Sequence, residues 1–143
     1  MLNRIVAIGV LLAASAVSFA DAPRTARALV EGGLSAYVKT GANDAIRTWI
    51  SGSALEGNTQ ATTQANSLRQ IEDYYGKPLD GTVLKEFSVS PKVKTIYFTI
   101  NYERGVAFSR FNAYQKPDGT WVVLSFVFNT EASQVFPASL LSD

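Results

Sequence analysis

Residues 93–129 read VKTIYFTINYERGVAFSRFNAYQKPDGTWVVLSFVFN, and the spacing of their apolar side chains decides the fold. In Val93–Glu103, Ile96, Phe98, Ile100 and Tyr102 alternate with Tyr97, Thr99, Asn101 and Glu103. A period of two belongs to a β-strand with one face turned to a core. Arg104-Gly105 reads as a tight turn, and Val106–Lys116 as the next strand. Pro117-Asp118-Gly119 is a second turn signal, and Thr120–Asn129 is the last long strand. Such short connections make the three strands antiparallel neighbours.

With Arg104-Gly105 as a two-residue loop, Tyr102 faces Ala107, Ile100 faces Ser109 and Phe98 faces Phe111. One face then carries Ile96, Phe98, Ile100, Tyr102, Ala107, Phe111 and Ala113, extended by Val122, Leu124, Phe126 and Phe128. This surface is fit to pack against helices, and a bulge at either turn would reverse part of it. The opposite face combines Tyr97, Val106, Phe108, Arg110, Tyr114, Trp121, Val123 and Val127 with Thr99, Asn101, Asn112 and Ser125. It is too aromatic for a purely solvated face. Three readings stand beside one another: cover by the C-terminal tail or the first strand, a homodimer joined sheet to sheet, or a ligand groove.

Upstream of Thr82–Ser90, a further strand candidate, the period lengthens to three and four. Asp21-Ala22-Pro23 is a helix start, followed by the stripe Ala26, Leu29, Val30, Gly33, Tyr37 and Val38. The pair Gly32-Gly33 weakens that helix, and close backbone packing is its ordinary reason. After Thr40-Gly41, Asn43 is placed to cap a short helix with Ile46, Trp49 and Ile50 on one side. A third helix runs from Thr59 to Tyr75, striped by Ala61, Ala65, Leu68, Ile71, Tyr74 and Tyr75, and closed by Gly76 and Pro78. The fold class is α+β: N-terminal helices packed on a curved antiparallel sheet.

The first twenty residues read as an export signal. Arg4 precedes an apolar run of about ten residues, and Ser18 and Ala20 fit the −3 and −1 positions of a cleavage site before Asp21. That gives residues 1–20 as a signal peptide and 21–143 as one domain, exported to the periplasm or beyond. The run falls short of the roughly 20 residues that span a bilayer, so no membrane association is expected after cleavage.

Composition excludes several chemistries. The 143 residues contain 13 Lys+Arg, 12 Asp+Glu, no His and no Cys. Disulfides, thiolate nucleophiles, imidazole bases and Cys- or His-ligated metals are therefore ruled out. The balanced charge gives no general reason to bind nucleic acid. The acids are dispersed, so neither a metal site nor a cofactor is expected. Among Asp44, Glu72, Asp73, Glu86 and Glu103, none sits in mid-strand on an apolar face, where burial would tune it for catalysis. No catalytic residue is assigned.

Helices followed by a curled sheet, with the helix end Ile71-Glu72-Asp73-Tyr74-Tyr75-Gly76, the hairpin Tyr97–Tyr114 and the closing Asp118-Gly119-Thr120-Trp121, resemble the NTF2-like, cystatin-like α+β superfamily. The resemblance implies a conical cup with a pocket at its open end, and dimers. It also implies functions ranging from non-enzymatic binding to isomerases and lyases that use a pocket carboxylate with tyrosines. The expectation is an exported non-catalytic domain that binds a small apolar or anionic ligand, or a protein partner, and forms a homodimer through the sheet face. The alternative is a lyase or isomerase. Trp49, Tyr74, Tyr75, Tyr102, Arg110 and Trp121 are the candidate ligand-binding residues; the ordinary alternative is core packing with a polar tip at the surface for the aromatics, and a cross-strand pair with Asn101 or a nearby acid for Arg110.

Overall fold

The computed structural model describes residues 22–142, so the export signal lies outside the described residues; the helix start read at Asp21-Ala22-Pro23 is a correction, since Ala22 and Pro23 precede the first helix, which begins at Ala26. Three helices come first: α1 (Ala26–Thr40), α2 (Ala42–Ile50) and α3 (Thr59–Tyr75). Four strands follow, β1 (Pro78–Ser90), β2 (Val93–Tyr102), β3 (Gly105–Gln115) and β4 (Trp121–Asn129), in an antiparallel meander of order β1-β2-β3-β4. Two short 3-10 turns, Ala132–Gln134 and Ala138–Leu140, end the chain. The α+β architecture read from periodicity is the one observed.

Thr25 caps α1, its hydroxyl accepting from the Ala28 amide at 3.0 Å. Gly41, at φ 107°, both closes α1 and opens α2, a conformation that glycine adopts without steric cost. Asn43 therefore lies inside α2 and does not cap it; its side chain accepts from Arg69 of α3. The third helix has the boundaries its stripe predicts, capped by Asn58. Tyr74 is a correction: it is 74% exposed, while Ala61, Ala65, Leu68 and Ile71 are buried. Val38 of the α1 stripe is likewise exposed, and Leu34 takes its place in the core.

The β2–β3 register differs from expectation by two residues: Tyr102 faces Gly105, Ile100 faces Ala107 and Ile96 faces Phe111. Glu103-Arg104 forms the tip, and its amides donate to the carbonyls of Lys77 and Tyr75. Gly105 is paired in the ladder, and a Cβ on it would stand 2.3 Å from the Tyr75 ring. A shift of two preserves the face of every side chain, so Ile96, Phe98, Ile100, Tyr102, Ala107, Phe111 and Ala113 are all buried on the helix side.

In β4 the faces do change. Phe111 faces Phe126, but Ala113 faces Val123, leaving Leu124 as an extra residue. Beyond this bulge Trp121 and Val123 join the core, and Leu124, expected in the core, is 48% exposed. Thus Trp121 and Val123 belong to the inner face, with Val122 outside their core cluster.

The core lies between the helices and the sheet. α1 packs against all four strands, and α3 packs on β3 and β4. Trp49 stands at the centre, fully buried, its ring centroid 5.1 Å from Phe111, 5.4 Å from Phe128 and 6.4 Å from Phe98. A smaller cluster forms on the outer face, where Val135 and Phe136 of the tail cover Tyr97 together with half-buried Phe108 and Val127. The Phe136 ring meets Tyr97 and Phe108 edge to face, at 5.6 Å and 5.4 Å. The tail is thus the cover for this part of the aromatic face.

Candidate functional site

The α1 face turned away from the sheet carries Ala28, Gly32 and Ala36 at four-residue spacing, side chains too small to fill the space beside α2. A Cβ on Gly32 would find its nearest neighbour, the Thr48 methyl, 3.9 Å away. The result is a groove of about 920 Å³ between α1, α2 and the start of β4, with Leu29, Trp121 and Val122 in its apolar floor. This volume lies at the upper end of the range for small-molecule sites.

Four cations border it: Arg24 before α1, Lys39 near its end, Arg47 on α2 and Lys116 after β3. No acidic side chain among the described residues lines the groove. Arg47 pairs with Asp44 at 3.0 Å, outside the lining. Asp118 stands 4.0 Å from Lys116, and its main-chain carbonyl accepts from Arg24 at 3.0 Å. The hydroxyl and amide of Thr120 both donate to the Asp118 carboxylate, which holds its pKa below the usual carboxylate range; Lys116 and Arg24 add to the effect. Lys39 has no ion pair among the described residues. A floor of apolar atoms with a positive border suits an anion that carries an apolar body.

The six residues picked from the sequence do not share one pocket. Trp121 lines the groove, 5% exposed, with Lys94 Nζ 5.4 Å from its ring. Trp49 belongs to the core, and its indole N–H donates to the Val30 carbonyl at 3.1 Å. Tyr74, Tyr75 and Tyr102 meet at the end of the sheet where α3 runs into β1. Tyr75 lies 5.0 Å from Tyr74 and 6.1 Å from Tyr102. Arg110 is half-buried on the outer face, opposite Tyr97 and Val127, and not beside Asn101, whose amide donates to Asp80.

A polar chain crosses the core near those tyrosines. The Tyr102 hydroxyl donates to the Tyr37 hydroxyl at 3.2 Å. Tyr37 has the Leu68 carbonyl at 3.2 Å and Glu72 Oε2 at 3.4 Å as acceptors. Burial raises both phenol pKa values, that of Tyr102 to about 12; for Tyr37 the contact with Tyr102 and the nearby Glu72 carboxylate push further in the same direction. Tyr37 and Tyr102 are 1% and 4% exposed, so their hydroxyls satisfy each other inside the protein.

Arg24, Lys39, Arg47 and Lys116 escaped the sequence reading because they come from four separate segments. The available signal was the row of small residues on the solvent side of α1. No family model, curated protein or solved structure matches this chain.

Proposed function

We propose that this chain is an exported, non-catalytic binding domain of the NTF2-like kind that holds a small anionic amphiphile in the groove along α1. The observation that carries the reading is the set of four cations around an apolar floor. The leader-like residues 1–20 support export, and the order of helices and meander supports the family resemblance. The ligand site moves from the interior of the cup to its flank, because Trp49 and the phenylalanines around it occupy the interior. The polar head pairs with the rim cations, and the apolar body displaces water from Ala28 and Ala36, the small side chains that leave the groove open.

The alternative, a lyase or isomerase, draws its support from Glu72 beside Tyr37. Burial of both tyrosine hydroxyls makes it the weaker reading. A homodimer through the outer sheet face would have to displace Phe136 from Tyr97 and Phe108.

Titration with dansyl-labelled undecanoate, followed by fluorescence, tests the proposal. Wild-type protein binds the probe, and added salt weakens binding. Arg47→Glu/Lys116→Glu weakens it on the order of tenfold or more. Gly32→Trp, which fills the groove from an exposed helix position, abolishes it. No binding by the wild type, or equal binding by both variants, overturns the reading.

A further inference from the structure

Ala22, Pro23 and Arg24 line the mouth of the basic groove, where it meets the β3–β4 hairpin. They lie outside any helix or strand, yet two hydrogen bonds tie them to the hairpin. The Trp121 amide donates to the Pro23 carbonyl at 2.9 Å, and Arg24 Nη1 donates to the Asp118 carbonyl at 3.0 Å. The first residues after the expected cleavage site are therefore fixed at the groove by the fold.

Cleavage before Asp21 turns the amide nitrogen of that residue into a terminal ammonium. Asp21 directly precedes Ala22, so this nitrogen lies within about 5 Å of the Ala22 Cα. We infer that the ammonium of mature Asp21 is a further cation on the border of the groove, so that removal of the leader completes the anion site. The inference rests on the reading of the groove as an anion site.

The charges around this end make one more cation count. Asp118, outside the lining, offsets Arg24 and Lys116. On the far side of α2, Glu56 accepts from the Gly52 amide at 3.0 Å. Lys94, over the Trp121 ring, pairs with Glu86, and on α1 Arg27 pairs with Glu31. The ammonium also balances the carboxylate of Asp21 itself. It differs from all these groups in where it titrates: its ordinary pKa is about 8, against about 4 for the carboxyls and above about 10 for Lys and Arg. The chain has no His and no Cys, so no other group ordinarily titrates between about pH 5 and pH 9. Loss of this proton removes the cation, leaves the Asp21 carboxylate unbalanced and weakens anion binding as the pH rises through about 8. In the precursor the same nitrogen is an uncharged amide, and the step is absent.

Titration with dansyl-labelled undecanoate at fixed salt, from about pH 6.5 to about pH 9.5, tests the inference. Three forms are compared: the chain begun at Asp21 with a free amine, the same chain acetylated at that amine, and the chain extended before Asp21 by Gly-Ser-Gly-Ser. At pH 7 the free form binds about threefold more tightly than the acetylated one. The advantage fades through about pH 8, and the extended form follows the acetylated one. N-terminal sequencing of the exported chain reads Asp-Ala-Pro-Arg. Equal binding by the free and acetylated forms, parallel pH profiles, or an exported chain that begins elsewhere overturns the inference while the groove still binds the probe. No binding by any form overturns the reading of the groove together with it.

Discussion

The indole of Trp49 lies directly on the backbone of Gly33: a Cβ at that glycine would stand 2.0 Å from Nε1 and 2.2 Å from Cε2. The largest side chain of the core is seated by the smallest residue of α1, which brings α1 and α2 into close contact and aims the indole at Phe98, Phe111 and Phe128. The neighbouring Gly32 has no such role, its Cβ position being open.

The two glycines therefore respond differently to the same change. Gly33→Ala destabilises the fold by about 3 kcal/mol or more, because a rigid, fully buried ring cannot retreat. Gly32→Ala stabilises by about 0.5–1 kcal/mol, the gain in helix propensity. Urea denaturation of both variants checks this, and equal effects would contradict the packing described.

Removing one hydroxyl of the tyrosine chain leaves a different gap at each end. Tyr37→Phe strands the buried Tyr102 hydroxyl and costs about 1–3 kcal/mol. Tyr102→Phe removes a donor while Tyr37 keeps the Leu68 carbonyl, so it costs about 1 kcal/mol. The double variant loses less than the sum, since no orphaned hydroxyl remains. Thermal denaturation of the three proteins measures the coupling.

Alkali acts through the same pair. Both folded-state pKa values are raised, so the unfolded chain releases the phenol protons first and binds fewer protons at high pH. This contribution is intact below pH 10, the ordinary tyrosine value, and stability falls as the pH rises from there through about 12. Tyr37→Phe/Tyr102→Phe flattens that fall. A stability curve equally steep in the wild type and the double variant would count against it.

Phe136 fastens the tail to the outer face. Phe136→Ala costs about 3–5 kcal/mol if the face keeps its structure, less if the tail detaches as a unit. Detachment exposes Tyr97 and Phe108, so the variant binds an apolar dye more strongly than the wild type. An unchanged melting temperature together with unchanged dye binding would mean that the tail adds nothing to the fold.

The helix and strand order, the limits of the third helix and the inner face of β2 and β3 were all legible in the residues, because each rests on the spacing of apolar side chains along a short stretch. Even a register error of two residues left the inner face intact, since the pleat repeats with that period. The bulge at Leu124 was not legible: nothing in Trp121–Asn129 marks which residue drops out of the ladder, and Trp121 enters the core where helix and sheet leave room for it. The candidate site was almost wholly hidden, with Trp121 the one residue of its lining picked beforehand.

By itself, then, the sequence determined an α+β chain with a dry inner sheet face and no thiol or imidazole chemistry, properties that belong to local pattern and composition. Tertiary structure alone decided that Trp49 fills the space between helices and sheet, that the tail covers Tyr97 and Phe108, that Tyr102, Tyr37 and Glu72 meet, and that Arg24, Lys39, Arg47 and Lys116 border one groove. Each of these joins residues from separate elements, and such meetings depend on how helices and sheet pack rather than on the periodicity of any one segment.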